Sequence, residues 1–230
     1  MVDSSIEPSG IVVLGGPDYY YPVVAATLYD TDVKDISPIA ELSQVERLDL
    51  GGTDIQDISA LEGLAHLGDL GLARTRVADL RSLAGLLELE YLDLRGTEVV
   101  DLRPLAGLDG LVALNLEGTA IRDVAPLANL THLETLDLSG TEVVDLDPLA
   151  GLDGLVTLHL RGTSVRDVAP LANLPHLETL TLAGTKVDNL TPLTSMQSLR
   201  YVKILDTPLT SEQVADFLEA MPECDVDWQN

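Results

Sequence analysis

The chain has 230 residues, and 13 Lys plus Arg against 38 Asp plus Glu give a formal net charge of −25. Such a chain repels phosphate backbones and anionic lipid, so neither nucleic acid nor a membrane is expected as a partner. With 46% apolar residues it can bury a core, and its single cysteine, Cys224, excludes a disulfide framework and a Cys-rich zinc site.

Residues 1–22 do not fit the pattern that follows and are expected to form an N-terminal cap. Ile11-Val12-Val13-Leu14 reads as an edge strand, Gly15-Gly16-Pro17 as a turn, and Tyr19, Tyr20 and Tyr21 as cap packing. Met1 leads into acidic and polar residues instead of a secretory signal, and no run approaches the ~20 apolar residues of a membrane span. A cytoplasmic protein is expected.

From residue 23 to 209 the chain repeats. Thr31, Thr53, Thr75, Thr97, Thr119, Thr141, Thr163, Thr185 and Thr207 stand 22 residues apart, which makes nine units without a slip. Each Thr follows two apolar positions, as Leu114 and Leu116 precede Thr119. The alternation predicts a short half-buried strand. Glycines such as Gly96 supply the sharp turn after it. The Thr hydroxyl is expected to satisfy backbone groups of its own or the next unit, forming a ladder. Four residues past each Thr comes Asp35, Asp57, Asp79, Asp101, Asp123, Asp145 or Asp167, with Asn189 in the eighth unit. Asp-Leu-x-Pro-Leu then predicts a carboxylate-capped single turn of 3₁₀ helix, with Pro104 and its equivalents in the first turn.

Residues 210–230 leave the repeat and predict a C-terminal helical cap. Its helix starts at Ser211 and presents Val214, Phe217, Leu218 and Met221 on one face. Cys224 is expected to be buried and inert.

Residues 133–152 read LETLDLSGTEVVDLDPLAGL, which resembles the 22-residue leucine-rich repeat of internalins and of a phosphatase-regulating protein family. Those families usually place Asn where this chain places Thr. Bacterial proteins with Gly-Thr at this corner are more similar still, and many of them end on a helix followed by Pro-x-Cys. The resemblance spans about four fifths of the chain. It implies the α/β class: a right-handed leucine-rich-repeat solenoid with a parallel concave sheet inside and short 3₁₀ turns on the convex side.

No catalytic constellation is visible. His66, His132 and His176 hold equivalent places at least two units apart, too far for shared metal ligation. There is no nucleophile elbow, phosphate-cradling loop or zinc-protease motif. The chain is expected to be no enzyme and to carry no metal or cofactor.

Function is expected on the strand face turned away from the core. Its candidate partner-binding residues are Tyr29, Arg47, Asp49, Asp69, Tyr91, Asp93, Arg95, Asn115, Glu117, Asp137, His159, Arg161, Tyr201 and Lys203. Tyrosine and arginine are the residue types that anchor interfaces. Residues 108–151 and 152–195 align as a tandem duplication with 30 of 44 positions identical, and five of the six concave positions are among the 14 that differ. Acids dominate the first two thirds of this face, so a basic protein partner is expected. The expected role is non-catalytic protein binding by a monomer, as an inhibitor or immunity-type protein or as a sensor or scaffold. The alternative is a surface adhesion protein of the internalin type.

Overall fold

The computed structural model describes residues 12–13 and 25–228. Its frame is one 11-stranded sheet whose strands follow in chain order. Strand β1 (Val12–Val13) is followed by β2 (Ala25–Thr27), β3 (Arg47–Asp49), β4 (Asp69–Gly71), β5 (Tyr91–Asp93) and β6 (Ala113–Asn115). Then come β7 (Thr135–Asp137), β8 (Thr157–His159), β9 (Thr179–Thr181), β10 (Tyr201–Lys203) and β11 (Asp225–Asp227). Strands β2 to β11 are parallel, and each strand from β2 to β9 pairs with the strand 22 residues on, as Leu114 pairs with Leu136, while β10 pairs with β11 24 residues on. Strand β1 runs antiparallel to β2, with Val12 opposite Thr27, as an edge strand should. Ile11, Leu14, the Gly15-Gly16-Pro17 turn and the three adjacent tyrosines lie outside the described residues.

One unit shows why the letters give this shape. Leu111, Leu114, Leu116, Ile121, Val124, Leu127 and Leu130 all point inward and are fully buried. The same seven places are apolar in the units on either side, so the rows stack into a single continuous core. Burying each such side chain contributes roughly 2 kcal/mol, and no unit could bury its face alone.

The turn after each strand needs a left-handed backbone, and it recurs every 22 residues. Glycine holds the place at Gly52, Gly96, Gly118, Gly140, Gly162 and Gly184, but Asp30, Arg74 and Asp206 hold it elsewhere with φ of 53, 57 and 55°. A side chain in this region costs about 1–2 kcal/mol. Arg74 is the residue least suited to it, since it lacks the short polar side chain of Asp. Arg74→Gly is therefore expected to raise the melting temperature, despite loss of the exposed bond from Arg74 Nη2 to the Tyr29 hydroxyl. A lower melting temperature would show that this bond outweighs the strain.

The threonine row differs in one respect from its expectation. Each hydroxyl donates to the carbonyl three residues back in its own unit, at 2.6–2.8 Å from Thr53 Oγ1 to Leu50 O through Thr185 Oγ1 to Leu182 O. Among the described residues, no hydroxyl ladder of this row crosses between units. The links between units are made by backbone groups instead, as in Leu116 N to Asp137 O and Gly118 N to Ser139 O, both 2.8 Å. Thr141→Val keeps the shape and removes only the hydroxyl, so a loss of about 1 kcal/mol in urea unfolding is expected.

On the convex side the acid row does what its spacing suggests. Asp35, Asp57, Asp79, Asp101, Asp123, Asp145, Asp167 and Asn189 each accept, through Oδ1, the backbone N–H two residues on, at 2.8–3.0 Å. A short 3₁₀ turn follows each, such as Arg103–Leu105 with Pro104 in its first turn.

The C-terminal segment closes the core. Its helix α1 (Ser211–Ala220) starts one residue after Thr210, whose hydroxyl accepts from Gln213 N while Gln213 Oε1 accepts from Thr210 N. Gln213 Nε2 also donates to Asp188 O, which ties the helix to the last repeats. Val214 and Phe217 are buried, Met221 is partly covered, and Leu218 is exposed, so Leu218 does not join the face expected of it. Beyond the helix the chain returns to the sheet as β11. Cys224 is buried just before it, and desolvation pushes its thiol pKa up, with the Asp225 carboxylate adding to the effect. A raised pKa keeps the sulfur protonated and a poor nucleophile.

Candidate partner-binding face

The strand geometry sets out three outward rows, and all the expected residues lie on them. In the first row, Arg47, Asp69 and Tyr91 are exposed, while Tyr201 is half-buried. In the middle row, Asp49, Asp93, Asn115, Asp137, His159 and Lys203 are all half-buried, each flanked by the rungs on either side. In the third row, Tyr29, Glu117 and Arg161 are exposed and Arg95 is half-buried.

Much of the middle row has a structural duty. Oδ1 of Asp49, Asp93, Asn115 and Asp137 accepts the backbone N–H of Gly51, Arg95, Glu117 and Ser139 at 2.8–3.0 Å. These side chains hold the strand exits, which accounts for the Asp and Asn there without any partner. The second carboxylate oxygen of Asp49 and Asp137 is left for other contacts, and that of Asp93 faces Arg95. His159 Nδ1 lies 3.1 Å from Thr181 Oγ1.

The C-terminal end of the face is occupied by the chain itself. Asp227 on β11 lies 2.7 Å from Lys203 Nζ and accepts from the Tyr201 hydroxyl at 3.3 Å. The hydrogen bond from Lys203 holds the Asp227 carboxyl below its usual range, and the same bond raises Lys203. Tyr201 is raised by desolvation and by the Asp227 charge beside it. The sequence signal for this was Val226 between two aspartates, an alternation too short to mark a strand without the repeat before it.

Toward the N-terminal end the side chains are less committed. Arg47, Asp69, Tyr91, Glu117 and Arg161 make no side-chain hydrogen bond among the described residues. The Tyr29 ring lies against Gly51, where an added Cβ would stand 3.0 Å from ring carbons. Arg95 pairs loosely with Asp93 at 3.4 Å, and its Nε is buried with no partner. A hollow of about 370 Å³ opens between Tyr91 and His159 over Ala113, with Asp69, Asp93 and Asp137 among its walls. The arrangement offers an aromatic ring, guanidinium groups and carboxylates on a rigid parallel sheet.

Comparison with known proteins agrees with this architecture. The family description "Leucine Rich repeats (2 copies)" matches residues 153–195. An internalin C2 from Listeria monocytogenes is 32% identical and superposes with a TM-score of 0.76, over 82% of this chain and 81% of that one. The chain belongs to the internalin-like leucine-rich-repeat family. An internalin F from the same organism shares the fold at 23% identity and a TM-score of 0.74, over 86% of this chain and 67% of that one. The ectodomain of the Arabidopsis thaliana receptor kinase GASSHO1/SCHENGEN3 shares it at 16% identity and a TM-score of 0.68, over 86% of this chain and 28% of that one. No curated protein matches the sequence. A bacterial origin fits the internalin neighbours.

In this internalin-like chain the fold is that of a protein-interaction or adhesion repeat module. Among the described residues, no helix is long and apolar enough to cross a membrane. On the convex side, Asp101 has the most perturbed carboxyl. The Arg103 side chain and then the Arg103 backbone N–H hold its pKa down to about 2 from the ordinary 3.8. A depressed carboxyl contributes stability that is fully present above pH 3.8 and is lost as pH falls toward about 2. Asp101→Asn keeps the amide acceptor, as Asn189 does, but cannot titrate. Its melting temperature is expected to fall less steeply than the parent's between pH 4 and pH 2. Equal slopes would show that the convex caps do not drive the acid transition.

Proposed function

We propose that this protein is a non-catalytic, monomeric binding module that holds a basic protein partner on its concave face, centred on β3 to β8. The observation that carries the reading is the internal duplication. Five of six concave positions differ between the copies: Ala113/Thr157, Asn115/His159, Glu117/Arg161, Asp137/Thr181 and Ser139/Ala183. Exposed positions off this face, such as Arg122/Arg166 and Glu134/Glu178, remained the same. Free drift would alter solvated positions alike, whereas five of the six concave positions differ against nine of the other 38.

The mechanism follows from rigidity. A preformed sheet loses little conformational entropy on binding. Tyr91, Arg95 and Arg161 would anchor, with Tyr29 at the N-terminal end, and the acids would steer a cationic surface with an on-rate that falls with salt. The plant receptor ectodomain of similar fold was crystallised in complex with CASPARIAN STRIP INTEGRITY FACTOR 2, which supports a partner-holding role for such a fold. As such a module it would act as an inhibitor or scaffold. Similarity to internalin C2 favours a second reading, surface adhesion. Fractionating cells of the source organism distinguishes the two.

The test is affinity capture with the protein as bait. Y91A/R95A/R161A should weaken capture by at least about a hundredfold, since three anchors are lost at over a kcal/mol each. The convex control R81A/R103A should not weaken it, and both should melt near the parent. Unchanged capture by the concave triple variant overturns the reading.

A further inference from the structure

Beside the concave face, where the strands begin, lies a hollow of about 480 Å³. Its floor is Gly68. The residue at this place is Val24, Glu46, Glu90, Val112, Glu134, Val156, Glu178 or Arg200 in the other units, so Gly68 breaks the row. Nothing local demands glycine there. Its φ lies outside the left-handed region, and an added Cβ would come no closer than 3.5 Å, to Glu88 O. The missing side chain leaves a gap between the backbones of β3 and β5.

The rim is equally irregular. Leu87 is 64% exposed where the other units place Ser43, Ala65, Asp109, Thr131, Asp153, Pro175 or Gln197. Tyr91, 48% exposed, stands on the same hollow. Two of the most exposed large apolar side chains among the described residues thus border one cavity. The remaining walls are acidic: Glu46, Asp69, Glu88 and Glu90, against the single guanidinium of Arg47. His66 Nδ1 engages Glu88 Oε2 at 3.2 Å, leaving the other three carboxylates without a hydrogen-bonded cation among the described residues.

We propose that this hollow seats an arginine side chain of the basic protein partner. The inference rests on the reading that such a partner binds, and it extends the contact from the concave face onto the adjoining edge. The aliphatic stem would lie on Leu87 and the planar guanidinium on the Tyr91 ring, where cation–π attraction and the carboxylates act together. A second copy of this acidic chain would bring like charge into the same place and is disfavoured.

The probe is N-acetyl-arginine-N-methylamide, titrated into the ¹⁵N-labelled full chain at physiological salt, with the norleucine analogue as the uncharged control. Saturable shifts are expected at the amides of Gly68, Glu88 and Tyr91 with the arginine compound only. Gly68→Gln fills the cavity without strain and should weaken that binding about tenfold or more, with resonances of distant units unmoved. No saturable shift, equal shifts with norleucine, or the same shifts on concentrating the protein alone would overturn the proposal. The concave-face reading is decided separately by partner capture with R95A/R161A, neither of which lines this hollow.

Discussion

Leu138→Ala is expected to lower unfolding stability by about 2–5 kcal/mol, read from the shift of the urea midpoint. Leu138 is fully buried in the row that continues through Leu116 and Leu160, both fully buried as well. The removed methyls leave a cavity that rigid neighbouring rungs can close only in part. Position matters as much as chemistry. In a solenoid each unit touches only its neighbours, so a weak central rung divides the stack into two shorter ones. The transition should therefore broaden as well as move. The same change at Ile204, in the last repeat, removes a similar volume but should leave the preceding units cooperative.

Phe217→Ala is expected to cost about 3–5 kcal/mol and to act locally. Phe217 is buried together with Val214 under a helix that Thr210 and Gln213 start and that Gln213 binds to Asp188 O. Without the ring, the end of the core beside the 3₁₀ turn Thr191–Ser195, against which the helix packs, loses its cover. Amide exchange should rise first in the units around β9 and β10 and remain slow near β5 and β6. Uniformly faster exchange along the whole chain would show instead that the helix is integral to a single cooperative unit. In either variant, added salt should raise the melting temperature, because a chain of −25 repels itself and ions screen that repulsion.

The repeat made most of this architecture readable in advance. A 22-residue period fixes which side chains face inward, and the Gly-Thr corner and the Asp-x-x-Pro turn follow from local geometry and hydrogen bonding. Three features escaped because they depend on neighbours. The threonine hydroxyl has two possible acceptors, and only the folded turn brings Leu138 O to 2.6 Å from Thr141 Oγ1. Strand β11 is three residues long and needs the edge of β10 to exist. The capping duty of Asp49, Asp93 and Asp137 uses an acceptor that a binding residue would also offer, so letters alone could not divide the two. Arg74 could have been seen, since it breaks the glycine column at a place where only backbone conformation selects the residue. Gly68 breaks a column too, and its meaning appeared only when the space above it was open.

Side-chain oxidation by hydroxyl radicals, applied to the chain alone and in complex with its captured partner, tests the central claim most directly. Tyr29, Tyr91 and His159 should be protected in the complex, while Val100 and Val144 on the outer side, both exposed in the free chain, should react as before. Protection of Val100 and Val144 with Tyr29 and Tyr91 unchanged would place the partner on the other side of the solenoid and contradict the account.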